Sequence, residues 1–281
     1  MNILDYMNQT NFIHVLNKFH HNPQSINQYD LDLHLKEHKD IILLLLYNGL
    51  HIYHYLPPSF QDDRDIIKTT LEHQAVTLRK EWYTKKIRYD KELVLIVVKQ
   101  FSLMYKNVCD ELKEDIDIII VALNSNGEIF SYLPERYQHQ REFAILALSN
   151  SYGNVYDQLP EKFTQDKHVI VEGLKNNPLI IRELPYEMHD DKKIIYELLN
   201  INYVLIKKTN SFLKNENFEP IKWIGRNLLI ELENNIPNYI NLINDQSKTE
   251  TIKRYLEKVL LKEKFEEQLN IFTITDRKIK I

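Results

Sequence analysis

Apolar residues recur along this chain in seven blocks, each opened by a charged or polar residue or by Ile116. The blocks begin at Lys39, Arg64, Lys91, Ile116, Arg141, Lys167 and Lys192, and their second residues (40, 65, 92, 117, 142, 168, 193) follow at steps of 25, 27, 25, 25, 26 and 25. A register kept over six steps marks an internal repeat. One apolar column holds Ile41, Ile66, Leu93, Ile118, Phe143, Val169 and Ile194, and another holds Leu46, Leu71, Val98, Leu123, Leu148, Leu174 and Leu199. Several blocks are apolar almost all round, which suits a helix covered by neighbours on more than one side. Just ahead of five blocks stand Asp63, Asp90, Asp115, Asp166 and Asp191, with His38 and Gln140 in the other two. Aspartate there predicts a helix N-cap, because its carboxylate accepts from the open N–H groups of the first turn. Asp40, Asp65, Glu92, Asp117 and Glu142 add a first-turn acid that opposes the positive end of the helix dipole. Buried parallel strands share the Ile and Val content, but the caps and the Leu-rich block ends favour helices.

The second half of each repeat carries Leu-Pro in four cases: Leu56-Pro57, Leu133-Pro134, Leu159-Pro160 and Leu184-Pro185. Proline is tolerated in the first turn of a helix and not in its interior. The spacing therefore predicts a loop and then a short helix starting near the proline, anchored by Phe60, Tyr137, Phe163 or Met188 three residues on. Each repeat is then a helix pair that needs its neighbours to bury its apolar face. The fold expected is all-α: an α-solenoid of about seven two-helix repeats with helical caps.

The ends differ from the repeats. Residues 1–30, with Phe12, Ile13, Val15, Leu16 and Phe19 at helical spacing, predict an N-terminal capping helix; the repeat array covers 31–215; and 216–281 forms a C-terminal helical cap. In that cap Pro220 opens a degenerate eighth unit, Ile236 to Ile243 form a short apolar helix, and Lys248 to Asn270 form a long amphipathic helix. Its stripe is Ile252, Tyr255, Leu256, Val259, Leu260 and Phe265. Ile271 to Ile281 alternate apolar and polar and read as a strand or a short tail.

Composition narrows the function classes. A net charge of −4 and only 5 glycines argue against a basic nucleic-acid footprint and against glycine-rich phosphate loops, whose motifs are absent. The single cysteine, Cys109, permits no disulfide within the chain, and the first residues lack the order of a signal peptide. The longest apolar run, Ile41 to Tyr47, is far short of the ~20 residues that span a bilayer. The expectation is an intracellular, cytoplasmic protein, in the cell of origin or in a host cell, with no membrane insertion.

Candidate chemistry is sparse. The pairs His34/His38 and His51/His54 have helical spacing but no third ligand, so no metal site is predicted. Cys109, on a helical stretch between Val108 and Asp110, reads as a small buried residue; Asp62-Asp63 and Asp190-Asp191 read as caps. No catalytic residue and no cofactor are predicted. A polar column at the ends of the first helices holds Asn48, His73, Gln100, Ser125, Asn150, Asn176 and Asn200. It suits C-capping with a hydrogen-bond ladder between repeats, or a track contacting an extended partner. For the second use the candidate binding residues are Asn48, His73, Gln100, Asn150, Asn176 and Asn200. Tyr47, Tyr53, Tyr55, Tyr132, Tyr152 and Tyr156 flank the loops, where tyrosine serves either as an anchor or in recognition. A basic column, Lys39, Arg64, Lys91, Arg141, Lys167 and Lys192, is offset by the acids beside it.

The stretch from Asp90 to Gly127, DKELVLIVVKQFSLMYKNVCDELKEDIDIIIVALNSNG, carries an acid followed by apolar residues, then Val-Lys-Gln, then a second helix ending in Leu-Lys-Glu-Asp. This pattern resembles the repeat of the domain of unknown function 4116 family, and by the register above the resemblance covers roughly residues 31–215. The chain departs from it in using Leu-Pro where many family repeats carry Ala-Ser. The family occurs as tandem arrays in intracellular bacteria, amoebae and giant viruses, so the resemblance implies helical repeats and a host-facing, interaction role. The functional expectation is a non-catalytic scaffold for a protein partner. The alternatives are a repeat-type nucleic-acid binder, which the charge disfavours, and a self-assembling structural protein, a homodimer through the C-terminal helix.

Overall fold

The computed structural model describes residues 39–47, 49, 51–73, 87–151, 155–201, 219–237, 239 and 245–278, and among them every regular element is helical. The N-terminal helix expected over 1–30 lies outside the described residues. Contacts divide the chain into two compact units, Met1–Val121 and Ala122–Ile281.

In the first unit the long helices are α1 (Lys39–Tyr47), α3 (Arg64–His73) and α4 (Lys91–Gln100), separated by the one-turn helices α2 (Pro58–Gln61) and, after α4, α5 (Asp110–Lys113). Helix α6 (Ile116–Ser125) holds the division between the units. The second unit continues with α7 (Glu135–Gln138), α8 (Arg141–Ser149), α9 (Glu161–Thr164), α10 (Lys167–Asn176), α11 (Lys192–Asn200), α12 (Arg226–Asn235) and α13 (Asp245–Lys278). All seven long repeat helices start on the first residue of their apolar block. In the first unit α1 packs on α3 and α3 on α4; in the second α8 packs on α10, α10 on α11, and α11 on α13.

The caps account for those starts. Asp63, Asp90, Asp115 and Asp191 each accept from two backbone N–H groups of the following helix, and Asp166 accepts from His168 N–H. Gln140 makes no such bond. Both apolar columns are buried wherever their side chains are described. Burial is not all round, however: Ile116 and Ile120 on α6 are 53% and 38% exposed.

The second halves correct the expected loop. Between the long and short helices lies a 3-10 segment: Tyr53–Tyr55, Ser102–Asn107, Gly127–Tyr132, Tyr156–Gln158 and Pro178–Arg182. Its apolar residues recur every three positions, as the three-per-turn winding requires. Tyr53 with Leu56, Tyr105 with Val108, Phe130 with Leu133, Tyr156 with Leu159, and Ile181 with Leu184 are all buried. The proline that follows caps the next element, with φ between −55° and −54° at all four sites; after Pro57, Pro134 and Pro160 that element is the one-turn helix, and after Pro185 it is a second 3-10 segment, Tyr186–Asp190. In the repeat that opens at Lys91, which has no proline here, Cys109 takes this place, with φ −64° and ψ 155°, so it caps α5 instead of lying inside a helix. It is buried, and its N–H donates to the Arg88 carbonyl, a bond proline cannot make. The expected anchors Tyr137 and Phe163 are buried, whereas Phe60 and Met188 are half-buried.

A tyrosine lock closes several of these turns. Tyr53, Tyr105 and Tyr156 each donate their hydroxyl to a carbonyl eight residues on, at Gln61, Lys113 and Thr164, over 2.6–2.8 Å. Burial pushes the Tyr53 hydroxyl up to about 12, so it remains a donor at every physiological pH. Where Phe130 replaces tyrosine, Gln138 Nε2 donates back to the Leu133 carbonyl.

At the C-terminus the expected strand or tail is corrected. Helix α13 runs through Lys278, and the β-branched residues from Ile271 extend a helix that already exists, which avoids the nucleation cost. Of the expected stripe, Ile252 and Leu256 are buried, Tyr255, Val259 and Leu260 are half-buried, and Phe265 is exposed.

Candidate functional site

Five of the six residues of the basic column are spent on the caps, Lys192 excepted. Lys39 pairs with Asp63 (2.9 Å) and Asp65 (2.6 Å), Arg64 with Asp90 (2.6 Å) and Glu92 (2.5 Å), and Lys91 with Asp115 (2.8 Å) and Asp117 (2.7 Å). In the second unit Arg141 pairs with Asp166 (2.5 Å) and Lys167 with Asp191. Each cation thus reaches forward to the acid that opens the next long helix. Ile116 and Gln140 interrupt both columns of this ladder, one lacking the cation and the other the acid.

These pairs shift the carboxyl groups in one direction. Arg64 is the main cause at Asp90, holding it below the usual carboxylate range against the opposing effect of burial. At Asp63, Asp115 and Asp166 burial opposes ionisation most strongly, yet the neighbouring cation and backbone N–H groups outweigh it and the carboxyls again titrate low. In the unfolded chain the same groups titrate near about 4. Their stabilisation is therefore fully present above that pH and is lost as pH falls through the lower folded values. The urea midpoint is expected to be flat from pH 7 to pH 5 and to drop below pH 4, followed by circular dichroism.

The polar column forms a ladder of its own. Gln100 Nε2 donates to the Leu71 carbonyl (3.0 Å), Asn150 Nδ2 to Asn124 Oδ1 (3.5 Å), and Asn176 Nδ2 to Ser149 Oγ (3.3 Å). Asn150 and Asn176 also donate to the carbonyl four residues back, at Leu146 and Glu172. His73 is exposed and rests its ring 4.6 Å from that of Tyr47. Ser125 is half-buried and Asn200 is exposed; Asn48 lies outside the described residues. The sequence missed Asn177, one position later: it is buried and its Nδ2 donates to Leu148 and Ser151 of the preceding repeat. His51 and His54 are exposed, and His34 and His38 lie outside the described residues. Among the flanking tyrosines, Tyr53 and Tyr156 are buried anchors, Tyr47 and Tyr132 are exposed, the Tyr55 side chain is not described, and Tyr152 lies outside.

What remains open lies at the C-terminal end. Glu231 of α12 accepts from Lys192 of α11 (2.9 Å) and from the Tyr255 hydroxyl of α13 (2.9 Å), joining three helices at one carboxylate. Burial opposes its ionisation, but Lys192 and Tyr255 together hold it below the usual glutamate range. Beside this junction, α11 and α13 wall a cleft of about 810 Å³. Lys193, Lys264, Glu197 and Glu267 bring both signs of charge to its walls, with Tyr196 and Leu260 between them. Among the described residues no group of three His, Cys, Asp or Glu could hold a metal ion, and no helix is long and apolar enough to cross a membrane.

Residues 90–138, from the cap of α4 to the end of α7, match the model of a family described as a domain of unknown function, DUF4116. No curated protein and no solved structure matches the chain.

Proposed function

We propose that this protein is a non-catalytic scaffold, an α-solenoid of about seven two-helix repeats with helical caps, that works in the cytoplasm by holding a protein partner. The observation that carries this reading is the coincidence of all seven repeat-helix starts with the 25–27-residue register, because equivalent helices at equal steps would create an extended surface. The polar column from Asn48 and His73 through Gln100, Asn150 and Asn176 to Asn200 is the proposed track. Gln100, Asn150 and Asn176 spend N–H groups on the preceding repeat, and an amide oxygen can still accept from a partner. The mixed-charge cleft between α11 and α13 supplies a second contact at one end. Nucleic acid is the weaker partner, since the basic column already faces carboxylates.

The test is capture with the tagged full chain from native lysate, with and without nuclease, comparing wild type with a Lys193→Glu, Lys264→Glu variant. A stoichiometric protein that survives nuclease and is lost with the variant supports the scaffold. Binding abolished by nuclease replaces it with the nucleic-acid reading.

A second reading, self-association through the C-terminal helix, is favoured by a separate observation. Leu261 and Phe265 on α13 are 59% and 68% exposed.

A further inference from the structure

We infer that α12 and α13 form a latch on the last repeat, shut by one carboxylate. Asp190 supplies from outside the N-cap that α12 lacks, so α12 and α13 dock on α11 and leave it as one body.

Helix α12 starts at Arg226 with Gly225 in the capping place, and glycine has no side chain to accept from the open N–H groups of the first turn. Asp190, 38 residues before Leu228, does so instead. Its Oδ1 accepts from Leu228 N–H (2.9 Å), the third N–H of the helix. Ile66 on α3 and Ile194 on α11 give the same N–H to a local aspartate. Asp190 Oδ2 accepts from Asn227 Nδ2 (2.8 Å). The neighbouring Asp191 caps α11, so two adjacent aspartates cap two different helices.

Gly225 is shaped to this arrangement. A Cβ there would stand 2.3 Å from Asp190 Oδ1 and 2.9 Å from the Asp190 backbone nitrogen. Gly225 N–H donates to the His189 carbonyl (2.8 Å). Just ahead of it the Trp223 ring lies near edge-on to that of buried His189, 5.9 Å between centroids. A side chain that could cap α12 locally is thus excluded by the residue that caps it from a distance.

The coupling follows from helix physics. A helix of 10 residues is marginal in water on its own, and α12 away from Tyr186–Asp190 has no cap either. Glu231, midway along α12, ties it to both of the other helices, accepting from Lys192 of α11 and from Tyr255 of α13. An α12 that frays from its first turn withdraws that carboxylate from both. Asp190, α11 and α13 also wall the cleft beside the junction. The cleft therefore exists only while the latch is shut, and a partner seated in it holds the latch closed.

Hydrogen exchange on the full chain, read by mass spectrometry, tests this. Asp190→Ala is expected to raise exchange about 10-fold across α12, the scale of losing a helix cap and the bond beside it. Residues 250–260 of α13 should rise in step, while α8 and α10 keep wild-type rates. Gly225→Ala approaches the same contact from the other side and should give the same pattern. Asp190→Asn keeps an oxygen for Leu228 N–H and should open the latch less than alanine does. A rise confined to α12 overturns the single body and leaves Asp190 as no more than a cap. Equal rises in α8 and α10 mean loss of the fold as a whole and overturn the latch. Wild-type rates in Asp190→Ala overturn the capping itself.

Discussion

Replacing Gly127 by alanine is expected to destabilise the second unit by about 3 kcal/mol, the upper end of the usual cost of overpacking. A Cβ at Gly127 would lie 1.9 Å from the Ala147 carbonyl oxygen and 3.0 Å from the Ser151 nitrogen. Both are backbone atoms at the end of α8, so no side-chain rotation relieves the clash. The same residue donates its N–H to the Asn150 carbonyl (2.9 Å), and any shift that makes room for a methyl group lengthens that bond. Gly49 supplies the contrast. It closes α1 with φ +82°, and a Cβ there meets nothing within 4 Å. Gly49→Ala should therefore cost only the left-handed strain, about 1 kcal/mol. Urea denaturation followed by circular dichroism reads both; equal losses at the two sites would contradict the packing account.

The second large effect is expected at Tyr105, which is fully buried and locked to the Lys113 carbonyl over 2.8 Å. Tyr105→Ala removes a whole aromatic ring from the first unit and should cost about 3–5 kcal/mol, the range for buried aromatic truncation. Tyr105→Phe keeps the ring and removes only the hydroxyl, for about 1 kcal/mol. The ratio separates packing from the hydrogen bond. A phenylalanine variant as unstable as the alanine one would mean that the hydroxyl, not the ring, holds the turn. Phe130, which fills the equivalent place without a hydroxyl, argues for the ring.

The starts of the seven repeat helices were legible because a fixed period and an apolar column coincide at all of them, and an aspartate cap at five. The 3-10 segments were not, since pairs such as Tyr53 and Leu56 fit one turn of either helix type, and six residues carry too few positions to separate the periods. Ile271 to Thr275 misled for another reason. Their β-branched side chains favour a strand locally, while the helix already formed through Leu256 only has to grow. The polar column was visible as a column, but its bonds reach 26 to 29 residues back, to partners that only the packing selects. The exposed face at Phe265 was visible only as part of a single stripe; its separation from the buried residues needed the structure.

The cation ladder makes neighbouring repeats interchangeable. Because Lys39, Arg64 and Lys91 each meet acids at the same two positions of the next repeat, excising residues 90–114 would leave Arg64 opposite Asp115 and Asp117 instead of Asp90 and Glu92. The join would read to its neighbours like the original. Within the first three steps such a chain can lose a whole repeat without redesigning the junction. Ile116 and Gln140 mark the one step where a transplanted cassette would find neither its cation nor its acid.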